Sequence, residues 1–436
     1  MKIAVISLGC AKNLVDTENL LGILKASGQE TTTSWKDADA CIINTGGFVE
    51  DAKKEAIDTI LEAADYKQKG LKKLVVMGCL SQRYKPQLEQ EMPEVDRFIA
   101  LDEYPQLGTI LTEVLGERIV NNYGKAPRVL SDKPWMAYLR IADGCNNRCS
   151  YCAIPSIRGN FRSRTEEDIL AEAEGLAKNG VKELNLIAQD SSMYGIDIYK
   201  NHMLADLLKK LNAIEGLHWI RVLYLYPDEI PDDLIETMKE CEKVLPYFDI
   251  PVQHGADAML HAMHRRGSRA LIEERCARIR QEIPQAVLRT TLICGFPGET
   301  EEDHKQNLSL VENVRWDHLG AFTYSREEDT PSYAMDDNVP PEIKEQRKAE
   351  VMTLQNRIAS EDRLKLIGRK EEVLVEGRSP LTGLYQGRSC LYAPDGVDGC
   401  VYFRSQREIP AGTFVMVEYT KASGQNMIGR EITDAE

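Results

Sequence analysis

Cys145-Asn146-Asn147-Arg148-Cys149-Ser150-Tyr151-Cys152 sets three cysteines within eight residues, directly after a strand-like run from Trp135 to Asp143. Thiols this close belong to a metal site or to a disulfide scaffold. The chain opens Met1-Lys2-Ile3-Ala4-Val5-Ile6, without a charged n-region, a long apolar h-region or a small-residue cleavage site. That start gives disulfides no oxidising compartment and makes the cytoplasm the expected location. Zinc would close its tetrahedron with a fourth Cys or His at a paired short spacing, and none lies nearby. An iron–sulfur cube held by three thiolates keeps one iron free for another ligand.

The spacing Cys-x3-Cys-x2-Cys resembles the signature of radical S-adenosylmethionine (SAM) enzymes. The resemblance implies that Cys145, Cys149 and Cys152 hold a 4Fe-4S cluster whose open iron takes the amino and carboxylate groups of SAM. It also implies one-electron reduction of the sulfonium, release of a 5′-deoxyadenosyl radical and hydrogen abstraction from an unactivated carbon, the cofactors carrying the hard step. Tyr151 matches an aromatic that the family places near the adenine; an ordinary packed tyrosine is the alternative.

Upstream, three short apolar runs end in small residues. Lys2–Leu8 ends at Gly9-Cys10, Ala40–Asn44 at Thr45-Gly46-Gly47, and Lys73–Met77 at Gly78-Cys79, with helical patterns between and after them, the first from Asp16 to Ala26. This alternation predicts an α/β fold with a doubly wound parallel sheet over residues 1–115. Its site would lie outside the strand carboxyl ends, where Cys10, Gly46 and Cys79 come together. Ser7-Leu-Gly-Cys-Ala-Lys-Asn13, Asn44-Thr-Gly-Gly-Phe48, Glu50-Asp-Ala52 and Gly78-Cys-Leu-Ser-Gln-Arg-Tyr84 are similar to the amino-terminal domain of radical SAM methylthiotransferases. In that family all three strand ends carry cysteines, which hold a second 4Fe-4S cluster; here Cys10 and Cys79 match, and the middle position is Gly46. Cys41 lies about 16 Å before Gly46 along an extended strand and on the opposite face, so it is expected to be a small buried hydrophobe.

Residues 116–134, rich in Asn, Gly, Pro and charge, read as a linker. Over 135–366 strand then helix repeats six times, with strands expected at Trp135–Ala142, Glu183–Ala188, Trp219–Tyr226, Tyr247–Val252, Val287–Cys294 and Leu319–Tyr324. Six such units resemble the partial (β/α)6 barrel of radical SAM proteins. Parallel barrels place their sites at strand carboxyl ends. Gln189-Asp-Ser-Ser192, Pro251-Val-Gln-His254-Gly255 and Gly295-Phe-Pro-Gly298-Glu-Thr300 are therefore expected pocket walls, with Gln189 and Gly295 joining Tyr151 as cofactor contacts. No general base is assigned, because radical hydrogen abstraction needs none. Cys241, Cys276 and Cys294, isolated in helical or strand patterns, are expected to be buried and structural. The tail, 367–436, carries short β-like runs at Glu372–Val375, Leu384–Tyr385, Gly399–Phe403 and Thr413–Tyr419, which predict a small β-barrel. With Ala393-Pro-Asp-Gly-Val-Asp-Gly399 it resembles the TRAM domain that ends methylthiotransferases.

The 436 residues, 43% hydrophobic and 28% charged, suit a soluble chain of two or three domains, and no apolar run is long enough for a membrane span. A net charge of −15 opposes life on a nucleic-acid backbone and suits a basic protein partner. From Glu372 to Glu436 nine acidic residues stand against six basic ones, whereas an RNA-gripping barrel is expected to be basic. That balance and the Ser7–Asn13 motif favour the branch of the family that methylthiolates the β-carbon of an aspartate in the twelfth small-subunit ribosomal protein. Its implied partners are that basic ribosomal protein and a reducing electron donor, with direct RNA binding disfavoured. Its implied cofactors are two 4Fe-4S clusters and SAM, the latter both radical source and methyl donor. Two alternatives stand: a tRNA adenosine methylthiotransferase, and a chain that cleaves SAM or binds the partner but transfers no sulfur because Gly46 has removed a ligand.

Overall fold

The computed structural model describes residues 1–432; residues 433–436, the end of the tail expected to form the β-barrel, lie outside the described residues. Strands β1 (Lys2–Ser7), β2 (Glu30–Thr32), β3 (Ala40–Thr45), β4 (Lys73–Gly78) and β5 (Arg97–Ile99) pair in parallel in the order β2-β1-β3-β4-β5. The three legible runs are the central strands, buried almost throughout, as a parallel sheet covered on both faces requires. The strand order reverses between β1 and β3, so the crevice of this sheet falls beside Cys10 and Gly46.

Helix α1 (Ala11–Ala26) begins directly after Cys10, five residues ahead of the expected start. Its apolar residues Val15, Leu20, Ile23 and Leu24 are buried, and so are Lys12, Asn13, Asp16, Thr17 and Glu18. A helix covered on both its apolar and its polar side shows little amphipathic signal, which hid its first turn. By contrast α2 (Glu50–Asp65) buries only Ala56, Ile60 and Ala63, one stripe at helical spacing.

Residues 116–134 form a strap packed across α1. Ile119 is buried, the Tyr123 hydroxyl donates to Asp16 at 2.9 Å, and Arg128 pairs with Glu18 at 3.2 Å and Glu172 at 2.8 Å. The strap crosses α1 at Gly22, where a Cβ would lie 2.6 Å from the Pro127 carbonyl oxygen. A few of its polar residues serve buried partners while the rest of its polar composition meets water, Ile119 being its one fully buried residue.

The second sheet is all parallel. It runs β6 (Met136–Arg140), then, beyond a short hairpin of β7 (Ala142–Asp143) and β8 (Arg162–Ser163), β9 (Glu183–Ile187), β10 (Trp219–Val222), β11 (Val244–Asp249), β12 (Val287–Cys294) and β13 (His318–Thr323), ordered β6-β9-β10-β11-β12-β13. β10 stops four residues short of expectation because Tyr224 adopts a left-handed backbone, φ 63°. β11 lies three residues earlier than expected. Cys41, Cys241, Cys276 and Cys294 are all buried.

The tail closes into a five-stranded barrel of β14 (Lys370–Arg378), β15 (Tyr385–Arg388), β16 (Val401–Arg404), β17 (Phe414–Ser423) and β18 (Asn426–Glu431). β18, absent from the expected set, pairs with both β16 and β17 and completes the closure. This barrel docks through charge. Arg388 grips Glu183 of β9 with two bonds, 3.0 and 2.5 Å, and Arg221 of β10 lies 3.6 Å from the same carboxylate. Asp398 accepts from the Tyr247 hydroxyl and faces Arg289 at 3.6 Å, while Asp395 pairs with Arg289 at 2.7 Å. Among the described residues no helix is long and apolar enough to cross a membrane.

Burial works against the charge on Glu183, but Arg388 and Arg221 outweigh it and hold the carboxyl below its ordinary range. Arg388→Met should therefore cost about 3 kcal/mol or more in urea unfolding, because it strips a buried carboxylate of its main partner. A depressed carboxyl contributes its stability above its unfolded value, about 4.3, and loses it as pH falls through the lower folded value. The gap between wild type and Arg388→Met should thus persist at neutral pH and shrink only below about pH 4.

Candidate active site

The hairpin β7–β8 brackets the cysteine loop. Within it the Cys145 amide donates to the Gly159 carbonyl at 3.1 Å, and Gly144, at φ 75°, would carry a Cβ only 2.1 Å from the Asn160 carbonyl oxygen, so no side chain fits there. Asn147 donates to Asp190 at 2.7 Å; Asp190 also accepts from the Ser192 hydroxyl at 2.5 Å, and that hydroxyl accepts from the Tyr226 amide at 3.1 Å. The run after β9 thus ties the cysteine loop to the segment after β10. Tyr226 brings its hydroxyl 3.0 Å from the Cys149 sulfur, and Arg265, stacked 3.8 Å over the Tyr226 ring, reaches the same sulfur at 4.0 Å.

Gln189 donates to Asp143 at 3.1 Å, and its Oε1 is buried without a partner. Tyr151 packs beside Met259, Met263 and Phe296. Gly295, at φ 74°, donates to Glu299 at 2.5 Å, and a Cβ on it would lie 2.2 Å from Lys344 Cγ, so its missing side chain lets the helix Pro341–Leu364 approach. His254 is buried, with Nε2 3.6 Å from Glu299. Burial, with the neighbouring thiols and, for Cys145, Asp190 adding to it, pushes the Cys145 thiol up to about 11 and the Cys152 thiol up to about 12, so thiolates here call for a cationic group beside them. Among the described residues no three Cys, His, Asp or Glu side chains converge on a single-ion site.

The second group of thiols stands at the first sheet's crevice. The sulfurs of Cys10 and Cys79 each lie 3.6 Å from Asn13 Oδ1, and Asn13 is anchored by donating to the Thr45 carbonyl at 2.7 Å. Gly46 lies beside them. A Cβ there would meet Gly9 Cα at 3.4 Å and Ala52 Cβ at 3.6 Å, ordinary contacts, and its φ is outside the left-handed region. Its neighbour differs: a Cβ on Gly47 would sit 2.7 Å from the Leu80 nitrogen and 2.9 Å from the Cys79 carbonyl carbon. Arg83 braces this loop, donating to the Gly47 carbonyl at 2.9 Å and the Glu328 carbonyl at 2.8 Å. Cys41 packs in the core with Ala4, Ile43 and Ala56, its thiol pushed up to about 12 by burial.

The short turn that follows Cys152 joins the two groups. Arg158, on the short helix Ile154–Arg158 that follows Cys152, lies 3.8 Å from the Cys79 sulfur and donates to Asn13 at 3.2 Å, Asp16 at 3.0 Å and Asp143 at 3.1 Å. Ala153 and Ile157 of the same turn pack on Cys79. Tyr226, Arg265 and Arg158 lie in no motif read from the sequence. Asn13 lies within one, without any signal of its role as the residue between two thiols.

Residues 139–311 match the Radical SAM superfamily, residues 2–100 the Uncharacterized protein family UPF0004, and residues 367–432 the TRAM domain. A solved radical S-adenosylmethionine methyltransferase, TsrM from Kitasatospora setae, shares the fold with a TM-score of 0.56 over 76% of each chain, at 14% identity. The molecule is thus a radical SAM fold set between a parallel α/β domain and a TRAM barrel. Curated relatives narrow this class. The ribosomal protein uS12 methylthiotransferase RimO of Thermoanaerobacter sp. (strain X514) is 44% identical over 435 residues, covering 98% of this chain and 99% of that one. The protein of the same name from Geobacter sulfurreducens is 45% identical over 443 residues, covering 99% of each. The chain belongs to the RimO family of ribosomal protein uS12 methylthiotransferases.

The contrast between the two adjacent glycines is open to test in the metal-free chain. Gly46→Cys should leave the thermal midpoint within about 2 °C of wild type, whereas Gly47→Ala should cost about 2 kcal/mol as the backbone at Cys79 is forced aside, measured by calorimetry.

Proposed function

We propose that this chain replaces a hydrogen on the β-carbon of an aspartate in ribosomal protein uS12 with a methylthio group, by radical SAM chemistry. The observation that carries this reading is that the turn directly after Cys152, with Ala153, Ile157 and Arg158, packs on Cys79 of the other group. Such packing lets one substrate carbon be served from both sides. We read the chain as an auxiliary-cluster domain, 1–115, a strap, 116–134, a radical SAM domain, 135–366, and a TRAM barrel, 367–436. Cys145, Cys149 and Cys152 would hold the radical cluster, and Cys10 and Cys79 the auxiliary one, with position 46 leaving its third protein ligand to an outside sulfide or thiol. When bound, the clusters and SAM supply the one-electron chemistry, the sulfur and the methyl group, drawing electrons from a reducing donor.

The chain's own residues position and insulate. Asp190 and Ser192 hold the cysteine loop and Tyr226 in one network, and Arg265 and Tyr226 bring a cation and a hydroxyl to the Cys149 sulfur. Tyr151 offers an apolar face for a nucleoside. The orphaned Gln189 Oε1 offers an acceptor for a ligand N–H or O–H. An acidic chain meets a basic ribosomal protein with complementary charge.

Gly46 favours one rival reading, a chain that cleaves SAM without transferring sulfur. Anaerobic reconstitution, with iron and sulfide counting and Mössbauer spectra, separates the two on this chain, on Gly46→Cys and on a Cys145→Ala/Cys149→Ala/Cys152→Ala variant. We expect two 4Fe-4S clusters in this chain, one in the triple variant, and uS12 carrying the mass of one added methylthio group. One cluster here and two only in Gly46→Cys, with SAM cleaved and uS12 unchanged, would establish the rival.

A further inference from the structure

Lys12 stands where stability gives no reason for a cation. It lies in the first turn of α1, at the positive end of the helix dipole, in a turn that carries no acidic residue. It is buried, and its ammonium sits 3.7 Å over the centre of the Tyr224 ring. Among the described residues no carboxylate lies within ion-pair distance of it and no hydrogen bond satisfies it. The groups that favour its charge are the Cys10 sulfur and, after it, two carboxylates engaged elsewhere: Asp143 with Arg158 and Arg140, and Asp249 with the Tyr224 amide at 3.0 Å and Arg289 at 3.8 Å. A largely buried lysine whose ammonium rests on an aromatic face and keeps some contact with solvent is a site for an incoming anion.

Its place says which anion. Lys12 is two residues beyond Cys10, and the ring beneath it belongs to Tyr224, on the segment whose Tyr226 touches the Cys149 sulfur. The ammonium is thus held on the Cys10 side, by a tyrosine in a strained left-handed conformation, φ 63°, two residues before the one that touches the Cys149 sulfur. We propose that Lys12 receives the side-chain carboxylate of the substrate aspartate, resting on the methylthiotransferase reading above. The carboxylate carbon is bonded to the β-carbon, so one ion pair fixes where the reacting atom lies. An amide or a nucleobase would leave the ammonium unpaired, so the same contact selects acid substrates.

The test uses the full-length reconstituted chain with two probes, uS12 and uS12 whose target aspartate is asparagine. Binding is measured by fluorescence anisotropy and product by mass spectrometry. Wild type should bind the aspartate form about tenfold or more tighter than the asparagine form, and Lys12→Met should bring the two within about twofold. Lys12→Met should also raise the thermal midpoint of the substrate-free chain, since it removes a cation from the positive end of a helix in a largely buried setting, with its iron content unchanged. An undiminished preference in Lys12→Met, no preference in wild type, or a lowered midpoint with lost iron would overturn the role of Lys12 while leaving uS12 modification intact. Unmodified uS12 together with a Lys12-dependent binding preference would instead count against sulfur transfer and uphold the contact.

Discussion

The arrangement turns on a buried knot of charge, Asp16 and Asp143 held by Arg140 and Arg158 where the first two domains meet. Arg140 reaches Asp16 at 2.6 Å and Asp143 at 3.5 Å, and Arg158 pairs with both carboxylates as well. Asp16 and Arg158, both taken out of water, demand near-complete pairing, which the partly exposed Asp143 and Arg140 complete. That demand sets how α1 lies against β6 and the cysteine loop. Because Arg158 follows Cys152 by one helical turn and a half, and Asn13 follows Cys10 by three residues, satisfying the knot also brings the turn after Cys152 against the other group of thiols.

The rest of the molecule supports this junction from outside. The strap, 116–134, ties α1 to β6 and to the helix Glu166–Lys178 through Arg128. Glu327, buried after β13, receives Lys53 at 3.3 Å and the Glu50 amide at 3.2 Å, closing the opposite side. The TRAM barrel is locked onto β9 through Arg388, and its Asp395–Asp398 run reaches β11 and β12, so the acidic loop that suggested a docking surface is spent partly on holding the barrel in place.

Gly46 and Lys12 show the same principle with opposite signs. Position 46 has room for a side chain and no backbone need for glycine, so nothing in the local fold demands the residue found there. Lys12 is a charge in a place the fold disfavours, at a helix N-terminus and without an ion-paired carboxylate among the described residues. Local rules broken without local compensation mark the places where chemistry rather than folding sets the residue.

Much of this was legible in the chain. Central strands such as Ala40–Thr45 carry their burial as unbroken apolar runs, and cysteine spacing is a local property, so both sheets and the Cys145–Cys152 loop could be read directly. Edge strands β2 and β5, with three residues each, carried too little pattern to see, and β18 was hidden by its glycine and arginine. The first turn of α1 was obscured because its polar side is buried too. What only the tertiary structure decided is which distant side chains share a site: Arg158 with Cys79, Tyr226 with Cys149, Arg388 with Glu183. The sequence by itself determined the elements and the thiol chemistry, because periodicity and spacing are properties of neighbours along the chain. Pairing between buried charges is a property of neighbours in space, and it is settled only when two domains lose water from the same surface.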